Sequence, residues 1–219
     1  MKILAVTDIH GEFLIVERMI EKETPDLIII GGDITTVGSV KDVETAVDKF
    51  VKSTKRVFAI AGNMDLASHE EVLLQKQVSL NARGVMINDI GFFGVSASPI
   101  SPLNTPYEIS EEEMYSRILK AYLEVESAGN KILVSHAPPY DTKLDRIHSG
   151  VHVGSTAVRN IIDEKQPDVA ICGHIHEASG IETIGRTIVV NCGLGARGYY
   201  AVILQEGNCF TVTKKILLN

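Results

Sequence analysis

The sequence predicts an α/β fold in which two β-sheets pack face to face and helices cover both outer surfaces. Over the first two-thirds of the chain, short apolar runs rich in β-branched residues alternate with segments of helical periodicity. In the last third, four strand-like segments follow one another without a helical segment between them. Alternation followed by consecutive strands favours two packed sheets over a single open one.

Five apolar runs have the composition of buried strands. Each is bounded by glycine, proline or polar residues and shows no apolar–polar alternation, which is typical of strands buried on both faces. The five predicted strands are Ile3–Val6, Leu27–Ile30, Val57–Ile60, Ile132–Val134 and Val169–Cys172.

Helical segments lie between these runs. Apolar residues three or four positions apart predict a first helix from about Phe13 that stops before Pro25. A second helix is predicted over Val40–Val51, and a later one from about Ser155 to Lys165. These helices supply the outer layers of the predicted fold.

Two further helix starts are predicted from capping boxes, in which a serine is followed three residues later by glutamate. The two sequences are Ser68-His69-Glu70-Glu71 and Ser110-Glu111-Glu112-Glu113. The second opens a long helix whose apolar residues share one face.

The last third changes character, with tight turns predicted at Gly185-Arg186 and Glu206-Gly207. Two irregular stretches, Ser96–Tyr107 and Ala137–Val153, lie beside predicted strands and are candidate substrate-binding loops. The predicted consecutive strands are Ala178–Ile184, Thr187–Asn191, Tyr199–Gln205 and Asn208–Ile216. We expect residues 1–219 to form a single domain.

Composition narrows the classes of function. The formal net charge of −7 argues against a basic nucleic-acid groove and against binding to anionic membranes, and no apolar run approaches the ~20 residues of a membrane span. A phosphate substrate is still allowed, because bound metal ions would add positive charge. Three cysteines in apolar or strand-like contexts predict reduced core thiols, and Met1-Lys2 leads directly into the first strand, so we expect a cytoplasmic protein. A homo-oligomer is compatible with the sequence.

Each predicted strand is followed by a short polar insertion. The ligand crevice of open α/β sheets lies outside the carboxyl ends of the strands, so we expect these side chains to meet. The insertions are Asp8-Ile9-His10, Gly32-Asp33, Gly62-Asn63, Ser135-His136 and Gly173-His174-Ile175-His176.

This set of side chains combines oxygen and imidazole donors and contains no thiolate. It suits Mn²⁺, Fe, Zn²⁺, Co²⁺ or Ni²⁺ better than Ca²⁺ or Mg²⁺. Taken singly, Asp8 could be a turn residue and His136 a buried core histidine, but five such insertions together indicate a metal site. Two ions in one pocket need a bridging anion, and Asp33 is the natural candidate.

The ordered set resembles the calcineurin-like metallophosphoesterase superfamily, whose pattern is Asp-x-His, Gly-Asp, Gly-Asn-His-Asp/Glu, a lone His after a strand, and Gly-His-x-His. The resemblance spans residues 8–176. Within the superfamily, the chain is most similar to the small stand-alone phosphodiesterases. It implies a four-layer αββα sandwich, with two mixed β-sheets face to face and helices outside. It also implies one ion held by Asp8, His10, Asp33 and His176, and a second held by Asp33, Asn63, His136 and His174.

The resemblance thus implies two divalent transition-metal ions, with Mn²⁺ favoured. Such a pair of ions would activate water for attack on a phosphoester. A water that bridges them has its pKa lowered toward ~7, so a hydroxide nucleophile exists at neutral pH. We therefore predict a phosphoesterase that acts on a small phosphoester, more readily a phosphodiester than a monoester, with Asp33, Asn63 and His136 at the catalytic centre.

Met64 departs from the family pattern. The family has a histidine after Gly-Asn that protonates the leaving group, and a thioether has no proton to transfer. One interpretation is an enzyme for esters or anhydrides with good leaving groups, or one with another acid. The alternative is a metal-binding scaffold or interaction subunit with vestigial activity. The complete ligand set favours the enzyme.

The sequence offers several candidates for an acid that could replace the missing histidine and for residues that could contact the substrate. His69 falls at a predicted helix start and is expected on the surface. His148 and His152 lie in a glycine-rich loop before a helix whose N-terminus could receive an anion, although exposed loop histidines would give the same pattern. Arg197 follows a glycine-rich turn and could pair with a phosphate oxygen or lie free on the surface.

Overall fold

The structure is a computed structural model that describes residues 1–218. In chain order its strands are β1 (Lys2–Val6), β2 (Leu27–Gly31), β3 (Val57–Ile60), β4 (Gly84–Ile87), β5 (Ile90–Val95), β6 (Ser98–Pro99), β7 (Glu108–Ile109), β8 (Asn130–Ser135), β9 (Val169–Cys172), β10 (Gly180–Ile184), β11 (Thr187–Asn191), β12 (Tyr199–Glu206) and β13 (Cys209–Ile216). The helices are α1 (Phe13–Glu23), α2 (Val40–Ser53), α3 (His69–Gln75), α4 (Glu111–Leu123) and α5 (Thr156–Lys165).

Two large mixed sheets form the centre of the molecule. The first has the order β13-β12-β1-β2-β3, with β1, β2 and β3 parallel and the last two strands antiparallel. The second has the order β10-β11-β9-β8-β5-β4, in which the four central strands run parallel. All five strands predicted from apolar runs are present, three in the first sheet and two in the second.

Alternate residues of the central strands face different cores. In β1, Ile3 and Ala5 pack between the two sheets, whereas Leu4 and Val6 pack against the helices outside. The outer cores contain α1, α2 and α3 on the first sheet, and α4 and α5 on the second. The predicted four-layer αββα sandwich is therefore confirmed. It also explains why the strands lack apolar–polar alternation, since both of their faces are buried.

The helix starts differ in part from the predictions. Ser110 caps α4 by accepting a hydrogen bond from Glu113 N–H at 3.2 Å. The capping box predicted at Ser68 is wrong, because Ser68 has helical dihedral angles and its side chain makes no capping bond. A full capping box instead joins Ser39 and Asp42 at the start of α2.

The four late strands are present but do not form one meander. The β10–β11 hairpin extends the second sheet, and the β12–β13 hairpin extends the first. The first of these strands starts at Gly180, because a short 3₁₀ turn occupies His176–Ala178. The predicted irregular stretch Ser96–Tyr107 contributes β6, which pairs with β7.

The cysteine prediction is correct for Cys172 and Cys192, which are buried free thiols, and wrong for Cys209, which is exposed on β13. Burial raises the pKa of the Cys172 thiol and raises that of Cys192 to about 12, so both stay protonated at neutral pH.

Within residues 1–218, none of the helices has the length and apolar character that a membrane span requires.

Candidate metal centre

The seven side chains predicted as metal ligands gather at one edge of the sandwich. β1, β2 and β3 release their polar insertions from the first sheet, and β8 and β9 release theirs from the second. Because parallel strands end on the same side, ligands far apart in sequence lie close in space. The structure thus brings together Asp8, His10, Asp33, Asn63, His136, His174 and His176.

Four of these residues adopt left-handed backbone conformations. The φ angles are 54° at Asp8, 49° at His10, 49° at Asp33 and 67° at His174. Such conformations are uncommon outside glycine, and they cluster at functional sites where the surrounding structure holds them. Here Ile9 and His10 N–H both donate to the Asp33 carbonyl at 2.9 Å, which locks the loops after β1 and β2 together.

Three glycines make room for the ligands. A Cβ at Gly62 would overlap Asp33 Oδ1, and a Cβ at Gly173 would overlap Asp8 Oδ2. A Cβ at Gly32 would likewise collide with His136 Nδ1. The glycine in each of these polar insertions therefore lets the backbone of one loop approach the ligand of another.

One half of the centre contains Asp8, His10 and His176, and one ligand atom from each lies within 4.8 Å of the others. His176 Nε2 is 3.1 Å from Asp8 Oδ1. The His10 and His176 rings meet edge to face at 5.7 Å. Asp8 is fully buried, whereas the His176 side chain is 40% exposed, so the centre opens to solvent on this side.

The other half is built around His136. Its Nε2 lies 2.9 Å from Asn63 Oδ1 and 3.4 Å from Asp33 Oδ1, and its ring is 5.1 Å from that of His174. Its Nδ1 bonds to the Gly31 carbonyl at 2.9 Å, which fixes the ring with Nε2 toward the pocket.

Asp33 stands between the halves. Its Oδ1 faces His136, and its Oδ2 is 3.8 Å from His10 Nε2. Ligand atoms of Asp8, Asp33 and His136 form a second group within 4.8 Å. A carboxylate that points one oxygen into each half has the placement required to bridge two cations.

The electrostatics of the metal-free site reflect this crowding. Burial alone would raise the pKa of Asp8, but the hydrogen bond from His176 and the charge of His136 outweigh it and lower the pKa to about 2. Burial would lower the pKa of His136, yet the neighbouring Asp33 and Asp8 carboxylates raise it to about 10. Burial and the charge of His136 lower the pKa of His174 to about 4. The two buried carboxylates thus attract positive charge, which a metal ion would supply in place of the His136 proton.

The donor set fits divalent transition metals. It offers carboxylate and amide oxygens together with imidazole nitrogens, the mixture that such ions accept. The two groups of carboxylates and imidazoles that could hold an ion contain no cysteine among the described residues.

Asp65, to which the sequence analysis gave no role, holds the site together. It is fully buried and accepts backbone N–H groups from Ile34 at 3.0 Å, Thr35 at 2.9 Å and Gly62 at 2.9 Å. Met64 N–H donates to Asp33 Oδ1 at 2.8 Å. These bonds tie the loop after β3 to the loop that carries Asp33. The only sequence signal for Asp65 was its place in the family pattern.

The surface position predicted for His69 is wrong. Its side chain is buried, with Nε2 bonded to the Gly38 carbonyl at 3.0 Å and Nδ1 accepting Leu66 N–H at 3.2 Å. Both ring nitrogens are therefore engaged, and His69 cannot serve as a proton donor to a substrate. From the sequence pattern alone, a buried histidine at a helix start cannot be distinguished from a solvent-exposed one.

The two loop histidines occupy different places. His148 is exposed and lines an open cavity together with His176. His152 instead bonds through Nδ1 to Asp145 Oδ1 at 2.7 Å, and its ring packs against Tyr140. Asp145 is buried and also accepts Thr142 N–H and Gly154 N–H, so His152 belongs to the scaffold of this loop.

The predicted anion site at the start of α5 is already filled by the chain itself. Glu111 accepts Thr156 N–H and Ala157 N–H, both at 2.9 Å, and the Ser155 hydroxyl at 2.7 Å. The expectation of an external anion there is wrong for this reason. Arg197 is exposed in a 3₁₀ turn whose backbone bonds to the loop after β1.

Asn191 is a second positioning residue. It is fully buried, and its Nδ2 donates to the Ile175 carbonyl at 2.9 Å and to the Leu144 carbonyl at 3.1 Å. Because Ile175 separates His174 from His176, this amide fixes the turn that carries both imidazoles. The only sequence signal for Asn191 was its position at the end of a strand, directly before a glycine-rich turn.

Fold and site together define a layered α/β protein with a cluster of oxygen and nitrogen donors at the strand ends. A family model for calcineurin-like phosphoesterases matches residues 1–178, and the chain belongs to this family. Its members are generally hydrolases that depend on two divalent metal ions.

Individual proteins and solved structures resemble the chain over most of its length. The chain is 36% identical over 197 residues to an uncharacterized protein of Methanocaldococcus jannaschii, an alignment that covers 87% of each chain. A structure from Thermus thermophilus has a TM-score of 0.74 at 18% identity, over 97% of each chain. A dimetal phosphatase from Danio rerio has a TM-score of 0.65 at 10% identity, over 99% of this chain and 96% of that one. At such identities the two structures show a shared fold.

Proposed function

We propose that this protein is a dinuclear metal-dependent phosphoesterase that hydrolyses phosphodiester bonds in small substrates. The observation that carries the proposal is the position of Asp33, with one carboxylate oxygen toward His10 and the other toward His136. A purely structural aspartate would not require an imidazole beside each oxygen in a cluster of seven donors. A metal pair explains the arrangement.

The proposed ligands divide as the two halves of the centre do. One ion would be held by Asp8, His10, Asp33 and His176, and the other by Asp33, Asn63, His136 and His174. Bound ions of this kind supply an activated water and positive charge for the phosphoryl oxygens. We propose Mn²⁺ as the preferred ion, with Fe, Zn²⁺, Ni²⁺ or Co²⁺ also compatible with the donors.

The residues of the chain have distinct roles in this proposal. Asp33 links the two halves, Asn63 and His136 keep the second half in place, and Asp65 anchors the loops from behind through backbone amides. In this proposal these groups hold metal ions or backbone amides, and none of them is assigned as the acid that protonates a leaving alkoxide. Proton supply to the leaving group therefore falls to residues at the open side of the site.

The preference for phosphodiesters rests on Met64. Its thioether cannot donate a proton, and loss of a general acid slows poor leaving groups by about 10²–10⁴-fold while sparing good ones. Diesters, cyclic diesters and anhydrides with easily expelled groups would still react. We also propose a cytoplasmic location, in keeping with the reduced state of the buried thiols.

The test is hydrolysis of bis-p-nitrophenyl phosphate with Mn²⁺, combined with calorimetric titration of Mn²⁺. We expect turnover and two binding events for the native protein. Asp33→Ala should weaken both binding events and His136→Ala mainly one, with activity reduced at least about 10²-fold in each variant. Asp163→Ala, at an exposed ion pair on α5, serves as the matched control and should match the native protein.

Two outcomes would contradict the proposal in different ways. Metal binding without turnover on any ester, across Mn²⁺, Ni²⁺, Co²⁺ and Zn²⁺, would support the metal-binding scaffold that Met64 leaves open. Failure to bind metal would remove both functions and leave only the fold.

A further inference from the structure

An open cavity of about 540 Å³ adjoins the exposed side of the metal centre. His176, one of the proposed ligands, forms part of its wall, so the cavity begins where the centre opens to solvent. Its volume falls in the range of small-molecule sites. The other residues that line it are His148, Glu177, Ser179, Leu194, Tyr199 and Lys214.

Lys214 is the unusual member of this wall. It is half-buried on the edge strand β13, and its Nζ donates to Ser179 Oγ across the gap between the two sheets. No carboxylate of residues 1–218 lies within 4.0 Å of this Nζ. Burial lowers the pKa of Lys214, because removal from water disfavours the charged form of an amine.

The neighbouring lysine shows what a structurally paired cation looks like on the same strand. Lys215 Nζ is 2.9 Å from Glu23 Oε1, in a cluster outside the cavity. Glu177, the carboxylate in the cavity wall, accepts the backbone N–H of His148 at 3.3 Å. An ammonium group has three N–H donors, so Lys214 keeps donors that no acidic side chain in the described part of the chain has taken.

The remaining wall is built to hold Lys214 in place. Ser179 Oγ donates to the Cys192 carbonyl at 3.5 Å while it accepts from Lys214, and a Cβ at Gly193 would overlap this hydroxyl. The Lys214 ammonium also lies 5.9 Å from the centroid of the Tyr199 ring. Tyr199 and Leu194 add apolar surface beside the cation.

We propose that this cavity binds the organic substituent of the phosphoester and that Lys214 contacts a second negatively charged group on it. The substrate class is then a phosphodiester or anhydride whose substituent carries its own phosphate or carboxylate. A charge-assisted hydrogen bond from the ammonium would provide the recognition, and the apolar wall would cover the linking atoms. This inference rests on the proposed phosphoesterase function, since it places the substituent next to His176.

The experiment compares two symmetric aryl diesters, bis(4-carboxyphenyl) phosphate and bis(4-methoxycarbonylphenyl) phosphate. They differ in the negative charges on the rings, so whichever ring enters the cavity is charged in one substrate and neutral in the other. We expect Lys214→Met to lower kcat/KM for the carboxylate diester by about tenfold to a hundredfold. The same substitution should leave the methyl ester within about twofold, and Lys214→Arg should retain most of the preference.

Lys215→Met is the matched control, because it removes a lysine from the same strand without touching the cavity. It should leave the ratio of the two kcat/KM values unchanged. An equal effect of Lys214→Met on both diesters, or none on either, would overturn the inference even if the enzyme is active. Thermal unfolding of the variants separates a loss of folding from a loss of recognition.

If neither diester is hydrolysed, the proposed function fails on this assay, and calorimetric binding of the same two compounds decides about the cavity. Tighter binding of the carboxylate diester by the native protein, lost in Lys214→Met, would support an anion subsite. Equal binding by both proteins would overturn it.

Discussion

The side chain and the backbone of Met64 have separate roles. Its N–H donates to Asp33 Oδ1 at 2.8 Å, a bond that any residue except proline could make. The thioether itself makes no bond to the seven donors. The cluster of seven donors therefore forms with methionine at this position, and under the proposed function the consequence falls on proton transfer to the leaving group.

We predict that His148 takes over this proton transfer, because its imidazole lines the same open cavity as the proposed metal ligand His176. His148→Ala should slow an alkyl phosphodiester by about 10²-fold or more and bis-p-nitrophenyl phosphate by only a few-fold. Steady-state kcat values on the two substrates check this. Equal losses on both substrates would contradict the prediction.

Two variants serve as controls for this measurement. His152→Ala should change neither rate substantially, because that imidazole is bonded to Asp145 outside the cavity wall. Met64→His in the His148→Ala background should restore part of the alkyl rate, because it returns an imidazole to the position at which the family carries one.

Helix α4 stabilises the start of α5. The Glu111 carboxylate receives two backbone amides and one hydroxyl from the first turn of α5, and it also complements the positive end of that helix. Both helices cover the second sheet. Packing of this layer thus depends on one half-buried capping carboxylate as well as on the apolar core.

We predict that Glu111→Ala destabilises the protein by about 1–3 kcal/mol, because it leaves the first amides of α5 without their acceptor. The free energy of unfolding from urea titration at pH 7 measures this. Glu112→Ala, at the next and exposed position, is the matched control and should change stability by less than about 0.5 kcal/mol. Equal effects of the two substitutions would show that the capping bonds contribute little.

At the scale of the whole molecule, Glu23 joins the first helix layer to three strands of one sheet. It is only 3% exposed. Lys2 of β1 and Lys215 of β13 form ion pairs with it at 2.7 and 2.9 Å, and the Tyr200 hydroxyl of β12 donates to it at 2.9 Å. Burial alone would raise the pKa of Glu23, but these three partners outweigh it and lower the pKa to about 2.

This shift predicts an acid-dependent loss of stability. A carboxyl group whose pKa is lower in the folded state than its ordinary value of 4.5 stabilises the fold above pH 4.5, and this contribution is lost as the pH falls toward 2. We expect about 2–3 kcal/mol of the unfolding free energy to disappear over that interval. Glu23→Gln should lack this part of the pH dependence, whereas the exposed Glu21→Gln should retain it. Urea unfolding at pH 7 and pH 3 measures the difference, and identical pH profiles for native protein and Glu23→Gln would contradict the assignment.

The hydrophobic pattern of the sequence did not predict several parts of the structure. The β4–β5 hairpin was not predicted, although its chain reverses at Asn88-Asp89, where Asn88 has φ 54°. The split of the late strands between two sheets was also missed, because hydrophobic pattern specifies that a strand is buried and not which partner it pairs with. His69 was misplaced, since burial of a polar ring depends on the carbonyl and amide that satisfy it.

The sequence by itself determined the layered α/β class, the five central strands and the positions of the seven donor residues. Those features are local, because a short apolar run that ends in a polar residue already encodes a buried strand and the side chain at its carboxyl end. Only the tertiary structure decided which loops meet. It joined Asp33 to both halves of the centre, filled the α5 N-terminus with Glu111, and placed Lys214 beside His176 with no acidic partner among residues 1–218. Such outcomes depend on distances between residues far apart in the chain, which no local pattern contains.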